Sequence, residues 1–199
     1  MMLAHIRVPK TGSSVLAFQL QSNKTECLTD RHVTAQEFAT HEHPHEFITQ
    51  ARDPLQLQVS AYYFLLPRVF QHSDLPPAAY GYAPQTIEML QNRCTLEEFL
   101  TEHPGNQFMA KYWEGTDPRE FLWVGLQSEM DVSIDMLNKL TTLNIENMYI
   151  NVGPTAGPYN VPPAVEEVFR YRNQAEYEMY AKAVEKFKSL RKDLYGSFC

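Results

Sequence analysis

His5-Ile6-Arg7-Val8-Pro9-Lys10-Thr11-Gly12-Ser13-Ser14-Val15-Leu16 decides how this chain is read. The apolar residues around 3–8 predict a short buried strand, Pro9 to Ser14 a tight turn, and residues 13–22 a helix. The first backbone N–H groups of a helix have no intrahelical partner, and the helix dipole adds partial positive charge there. A lysine, a glycine and three hydroxyls beside that end make a compact seat for a phosphate or a similar anion. The competing reading is an ordinary strand-to-helix turn with a helix cap.

The pattern is not the common nucleoside-triphosphate loop. That motif needs Gly-Lys adjacent and another glycine well before the lysine. Here Pro9 precedes Lys10, and Gly12 follows it.

A second segment points the same way. His45-Glu46-Phe47-Ile48-Thr49-Gln50-Ala51 reads as another strand, ended by Arg52-Asp53-Pro54, and residues 54–66 read as a helix with Pro54 suited to its first turn. An arginine at a strand's C-terminal end and Ser60 on the following helix are suited to binding a phosphate beyond the sheet edge. The alternative for Arg52-Asp53-Pro54 is a helix-capping turn with a local ion pair.

Together the two segments resemble the paired signatures of sulfotransferases that use 3′-phosphoadenosine 5′-phosphosulfate (PAPS). The likeness is closest to the carbohydrate-type branch that includes the heparan sulfate enzymes. Carried over by position, Lys10, Thr11, Gly12, Ser13 and Ser14 match the loop that holds the 5′-phosphosulfate, and Arg52 with Ser60 match the 3′-phosphate clamp. Ser60-Ala61-Tyr62-Tyr63-Phe64 also resembles the family's Ser-x-Tyr-Tyr-Phe helix. Less specific echoes follow in family order at Asn106-Gln107-Phe108, Val124 to Glu129 and Tyr149 to Val152. One departure is Leu57, where the family often has a second arginine; that puts a helix-anchoring ion pair in doubt.

The resemblance implies an α/β fold, P-loop-like and three-layered, with a mainly parallel central sheet flanked by helices. It implies one domain over residues 1–199 and transfer of a sulfonate group from PAPS to an acceptor, releasing 3′-phosphoadenosine 5′-phosphate (PAP). The acceptor group would be a hydroxyl, with an amine as the alternative, on a carbohydrate or other small molecule. Lys10 would offset charge on the leaving oxygen, and no metal is required. Relatives often place a catalytic histidine or glutamate between the two motifs, which makes His32 the expected base, Glu37 its rival, and His43 or His45 the next candidates. A small-molecule kinase needing Mg²⁺, or a non-catalytic nucleotide-binding or interaction protein of the same fold, stays open.

Composition sets the frame for these readings. At 199 residues and 44% hydrophobic, the chain is long enough to bury a core. A net charge of −7 tells against a nucleic-acid surface, so positive charge at the site must come locally from Lys10, Arg52 and Arg7. A neutral or weakly charged acceptor suits that balance better than a polyanionic glycan. No apolar run suits a membrane span, and the start lacks a signal-peptide pattern. Since animal members of the family it resembles are usually tethered in the Golgi, the resemblance then implies an untethered, cytoplasmic, bacterial-type protein. Cys27, Cys94 and Cys199 suggest neither a disulfide framework nor a metal site. His41-Glu42-His43-Pro44-His45 has metal-ligand residue types, but alternate residues of an extended segment point opposite ways, so a solvated loop is the expectation. Nothing in the pattern fixes an oligomeric state.

Beyond the two motifs, strands are expected near 121–126 and 145–150, and helices near 84–92, 95–103, 105–113, 128–141 and 174–195. Thr95 with Glu98 reads as a capping box, and Ser128 and Asn173 as caps. On the last helix Tyr177, Tyr180, Val184, Phe187 and Leu194 read as a core stripe. The proline-rich stretches 67–84 and 151–163 read as loops suited to acceptor recognition.

Overall fold

The computed structural model describes residues 2–22, 27–29, 33–40, 45–71, 83–102, 107–146 and 160–196. The chain forms two compact units. Residues 1–52, 108–152 and 175–199 make the first, and residues 53–107 and 153–174 make the second.

The first unit is built on a four-stranded, all-parallel sheet. Its strands are β1 (Met2–Ile6), β2 (Cys27–Leu28), β3 (His45–Ala51) and β4 (Trp123–Leu126), in the order β2-β1-β3-β4. β1 lies against β3 from Met2↔His45 to Ile6↔Thr49, and β3 lies against β4 from Ile48↔Trp123 to Ala51↔Leu126. β1 is buried from Leu3 to Ile6 and β4 throughout, as expected for parallel strands covered on both faces. The expected α/β class and parallel sheet are therefore present.

Connectivity decides where a ligand site would fall. After β1 the chain steps outward through α1 (Ser13–Ser22) to β2, then returns across β1 through α2 (Ala35–Ala39) to β3. The direction of winding thus reverses between β1 and β3. Loops leaving the C-terminal ends of two such strands part to opposite sides and open a crevice. Both motifs read from the sequence, Pro9 to Ser14 and Arg52, leave the sheet at this point.

The remaining helices of this unit are α6 (Phe108–Tyr112), α7 (Met130–Leu140) and α9 (Gln174–Tyr195), whose first residue belongs to the second unit. Three polar side chains buried beside the sheet, those of Thr49, Trp113 and Trp123, are matched. Thr49 Oγ1 donates to the Ile6 carbonyl at 2.9 Å and accepts from the Trp113 indole at 3.2 Å. Trp123 Nε1 donates to the Ser133 carbonyl at 2.9 Å, and the Trp123 ring folds across Gly125. On α9, Ala183, Phe187 and Leu190 are buried, while Tyr177, Tyr180, Val184 and Leu194 are half-buried, so the apolar stripe covers core.

The second unit is helical among the described residues: α3 (Pro54–Gln71), α4 (Pro84–Gln91), α5 (Leu96–Glu102) and α8 (Pro163–Arg172). Tyr62, Leu65, Val69, Ile87, Leu90 and Phe99 form its core. The Tyr62 hydroxyl donates to the Cys94 carbonyl at 2.9 Å, and the Tyr62 and Phe99 rings lie 5.2 Å apart.

Several expected boundaries move, each for a visible reason. α3 runs on through Pro67 to Gln71 instead of stopping at 66, because Leu65 and Val69 are both buried and their packing offsets the hydrogen bond Pro67 removes. α8 occupies residues 163–172, where no helix was expected. Asn173 donates from Nδ2 to the Phe169 carbonyl at 2.8 Å, so it closes α8 instead of opening α9. Ser128 lies in a single 3-10 turn (Gln127–Glu129), and Ser133 ties that region together by donating to the Glu129 carbonyl at 2.8 Å. Ile145 and Glu146 are not strand residues. Asn138 brackets the Ile145 backbone at 2.8 and 2.9 Å, and Gln19 does the same for Glu146. Residues 147–150 lie outside the described set, as do most of the two expected loops. The Thr95–Glu98 capping box is formed, at 2.7 and 3.2 Å.

Candidate functional site

The turn after β1 is built from inside. Thr11 Oγ1 and Ser13 Oγ both donate to the Val8 carbonyl, at 2.8 and 2.9 Å, and both side chains are buried. These two hydroxyls therefore hold the loop in shape. Gly12 and Ser14 are exposed, and Val15 N–H returns to the Gly12 carbonyl at 3.2 Å as α1 begins.

Backbone twist adds to that shape. Lys10 has φ 66° and Gly12 has φ 89°, both left-handed, with Thr11 between them outside that region. Where a left-handed residue alternates with a right-handed one, successive N–H groups turn to one side and can receive an anion. Glycine adopts the conformation freely, whereas lysine does so at a strain of about 1–2 kcal/mol. Side-chain space matters too, since a Cβ on Gly12 would lie 3.2 Å from Met130 Cε.

Arg52 supplies the second half. Its Nη1 donates to the Lys10 carbonyl at 3.1 Å, so two motifs forty-two residues apart meet at the crevice between β1 and β3. That bond also secures the left-handed lysine. Asp53, in the second unit, caps α3 by accepting from Gln56 N–H at 3.0 Å, with Pro54 in the first turn. The helix-capping reading of Asp53-Pro54 is thus correct in its own right. Leu57 is buried, as suits an apolar side chain. Ser60 is half-buried on the second turn of α3, in the second unit.

The candidate bases are placed unevenly. His32 and His43 lie outside the described residues. His45 begins β3, at the opposite end of that strand from Arg52. Glu37 is exposed and accepts from the Thr34 N–H at 2.7 Å and the Thr34 hydroxyl at 2.8 Å, forming the capping box of α2. Those bonds hold its carboxyl below the usual range, which makes it a weaker base. Among the described residues no group of three His, Cys, Asp or Glu side chains is arranged to hold a metal ion, and no helix is long and apolar enough to cross a membrane. Burial pushes the Cys27 thiol up to about 12, so it is an inert packing residue.

A separate cleft of about 320 Å³ lies between α7 and α9, lined by Asp131, Val132, Asp135, Arg191 and Tyr195. Arg191 pairs with Glu129 at 2.8 Å and Asp135 with Lys139 at 3.0 Å, so its charges are largely matched.

Sequence reasoning missed two members of the loop's surroundings. Gln50, next but one before Arg52, is buried, and its Nε2 donates to Met130 Sδ at 3.3 Å. Gln50 adjoins a motif and was readable as a neighbour of it, whereas Met130 carries no local signal. No family model, curated protein or solved structure matches this chain.

Proposed function

We propose that this chain is a PAPS-dependent sulfotransferase with a P-loop-like site at the β1–β3 crevice. The observation that carries the reading is the 3.1 Å bond from Arg52 to the Lys10 carbonyl, which brings both anion-binding motifs to one edge of the sheet. Both motifs follow parallel strands that are neighbours in the sheet, at the reversal of winding where open α/β sheets bind ligands.

The residues present fit the group. The left-handed turns at Lys10 and Gly12 suit a phosphosulfate held by backbone N–H groups, with Ser14 exposed beside them. Arg52 offers a planar, permanently charged fork suited to the 3′-phosphate. Ser60 is assigned to that phosphate by the resemblance alone. In this reading an acceptor hydroxyl attacks sulfur in line with the bridging oxygen, its proton passing to a base for which His32 is the first candidate. Lys10 stabilises the negative charge that collects on the leaving 5′-phosphate. The order Lys-Thr-Gly, with no preceding Gly-Lys pair, favours this chemistry over a kinase acting on Mg²⁺-ATP.

Calorimetry with PAP, ATP and adenosine 5′-phosphosulfate tests the proposal, with Lys10→Ala and Arg52→Ala as controls. Selective binding of PAP, weakened by either substitution, is the expected result. Preference for Mg²⁺-ATP would favour the kinase, and absence of any nucleotide binding would overturn the assignment.

A further inference from the structure

Gln50 is 1% exposed on β3, and its Oε1 has no hydrogen-bond partner among the described residues. Its Nε2 is spent on a thioether, a weak acceptor, at 3.3 Å. As a contribution to stability this is a poor arrangement, because a buried acceptor left unmatched loses its hydration without recompense. Leucine or methionine would fill a similar volume without that loss. The arrangement makes sense through what Met130 touches. Met130 opens α7, and its Cε lies 3.2 Å from where a Cβ on Gly12, the left-handed glycine of the loop, would stand, so the methyl group occupies the space beside that glycine. A methionine side chain has several accessible rotamers, and a hydrogen bond to its sulfur selects among them.

We propose that Gln50 is a positioning residue that acts through Met130, fixing the methyl group against Gly12 and thereby the height of the loop that receives the anion. The inference rests on the sulfotransferase reading of that loop. In this role Gln50 acts on the shape of the loop, through Met130, and not on the reacting atoms.

The test measures PAP affinity by calorimetry and stability by urea midpoint for the wild type, Gln50→Leu, Met130→Ala and the double variant. The wild type must bind PAP; if it does not, the functional reading falls and this inference with it. Given binding, Gln50→Leu is expected to weaken PAP by about tenfold, the scale on which supporting partners of a bound group act. Its urea midpoint should be unchanged or higher, a combination that a merely structural role would not produce. The double variant should bind no more weakly than Met130→Ala alone, because both changes interrupt one contact. Affinity within twofold of wild type for Gln50→Leu would overturn the proposal while leaving the sulfotransferase reading intact. Fully additive losses in the double variant would also overturn it, since Gln50 would then act by another route.

Discussion

The carbonyl oxygen of Lys10 accepts a hydrogen bond from Nη1 of Arg52 at 3.1 Å, and Lys10 holds φ at 66° while it does so. A left-handed lysine directs its carbonyl away from the path a right-handed one would take, and the guanidinium meets it there. One contact therefore links the conformation of the first motif to the arginine of the second. On the proposed function Arg52 would have two duties, one toward the nucleotide and one toward the loop.

Those duties separate in kinetics. Lys10→Ala should lower turnover at saturating PAPS by about 10²–10³-fold, the usual effect of losing one group that stabilises developing charge. Arg52→Ala should act mainly on PAP and PAPS affinity, at about 1.5–3 kcal/mol for a charged hydrogen bond. Arg52→Ala that lowered turnover while leaving affinity unchanged would contradict the assignment.

Stability should respond to Lys10 in the opposite sense to activity. Lys10→Gly relieves left-handed strain that Lys10→Ala retains, so the glycine variant should be more stable by about 1 kcal/mol in urea unfolding. Both variants should show the lowered turnover expected of Lys10→Ala. Gly12→Ala, with φ at 89° and Met130 in the way, should lose about 1–3 kcal/mol.

Gly125 offers a test of the sheet itself. A Cβ there would lie 2.4 Å from the Trp123 ring, which is wholly buried. Gly125→Ala is expected to destabilise the protein by about 3 kcal/mol, at the upper end for overpacking. A melting temperature within a degree of wild type would show that the ring can move aside.

Glu176 makes stability depend on pH. Its carboxylate accepts the N–H groups of Met109 at 3.1 Å and Ala110 at 2.7 Å, yet burial outweighs those bonds and raises the carboxyl to about 7. Below about pH 4.5 folded and unfolded chains both hold the proton. Between there and pH 7 the unfolded chain releases it first, so this group's contribution to stability falls as pH rises, by about 3 kcal/mol in all. Glu176→Gln, which mimics the protonated form, should flatten that part of the profile. An identical pH slope in the variant would assign the titration elsewhere.

The base is open to direct comparison. His32→Ala should reduce turnover by orders of magnitude, with a pH profile that loses its limb near the ordinary histidine pKa of about 6.5. Glu37→Gln should disturb the α2 cap, while turnover stays near normal. The reverse pattern would move the role to Glu37.

Much of this protein is legible in local sequence. Residues 2–6, 13–22 and 45–51 declare themselves by apolar runs and by the turn residues between them, and Thr95 with Glu98 by capping spacing. Such signals are short-range, because strand burial, caps and turns are settled by neighbouring residues. Elements lacking them were missed. α8 follows a proline cluster that reads as a loop, and the two-residue β2 is too short to show a period. Chemical type at the site was legible too, in Lys10, Gly12 and Arg52.

What only the tertiary structure decided is how those pieces meet. Strand order β2-β1-β3-β4 places both motifs at one reversal of winding, and no residue spacing encodes that order. The hydroxyls of Thr11 and Ser13 face inward to Val8 and shape the loop, an orientation the sequence alone did not show. Gln50 and Met130 are eighty residues apart, and their contact exists because β3 and the start of α7 pack at the same edge of the sheet. Local propensity acts over a turn or two of chain; long-range burial selects which turns become neighbours, and that selection made the site.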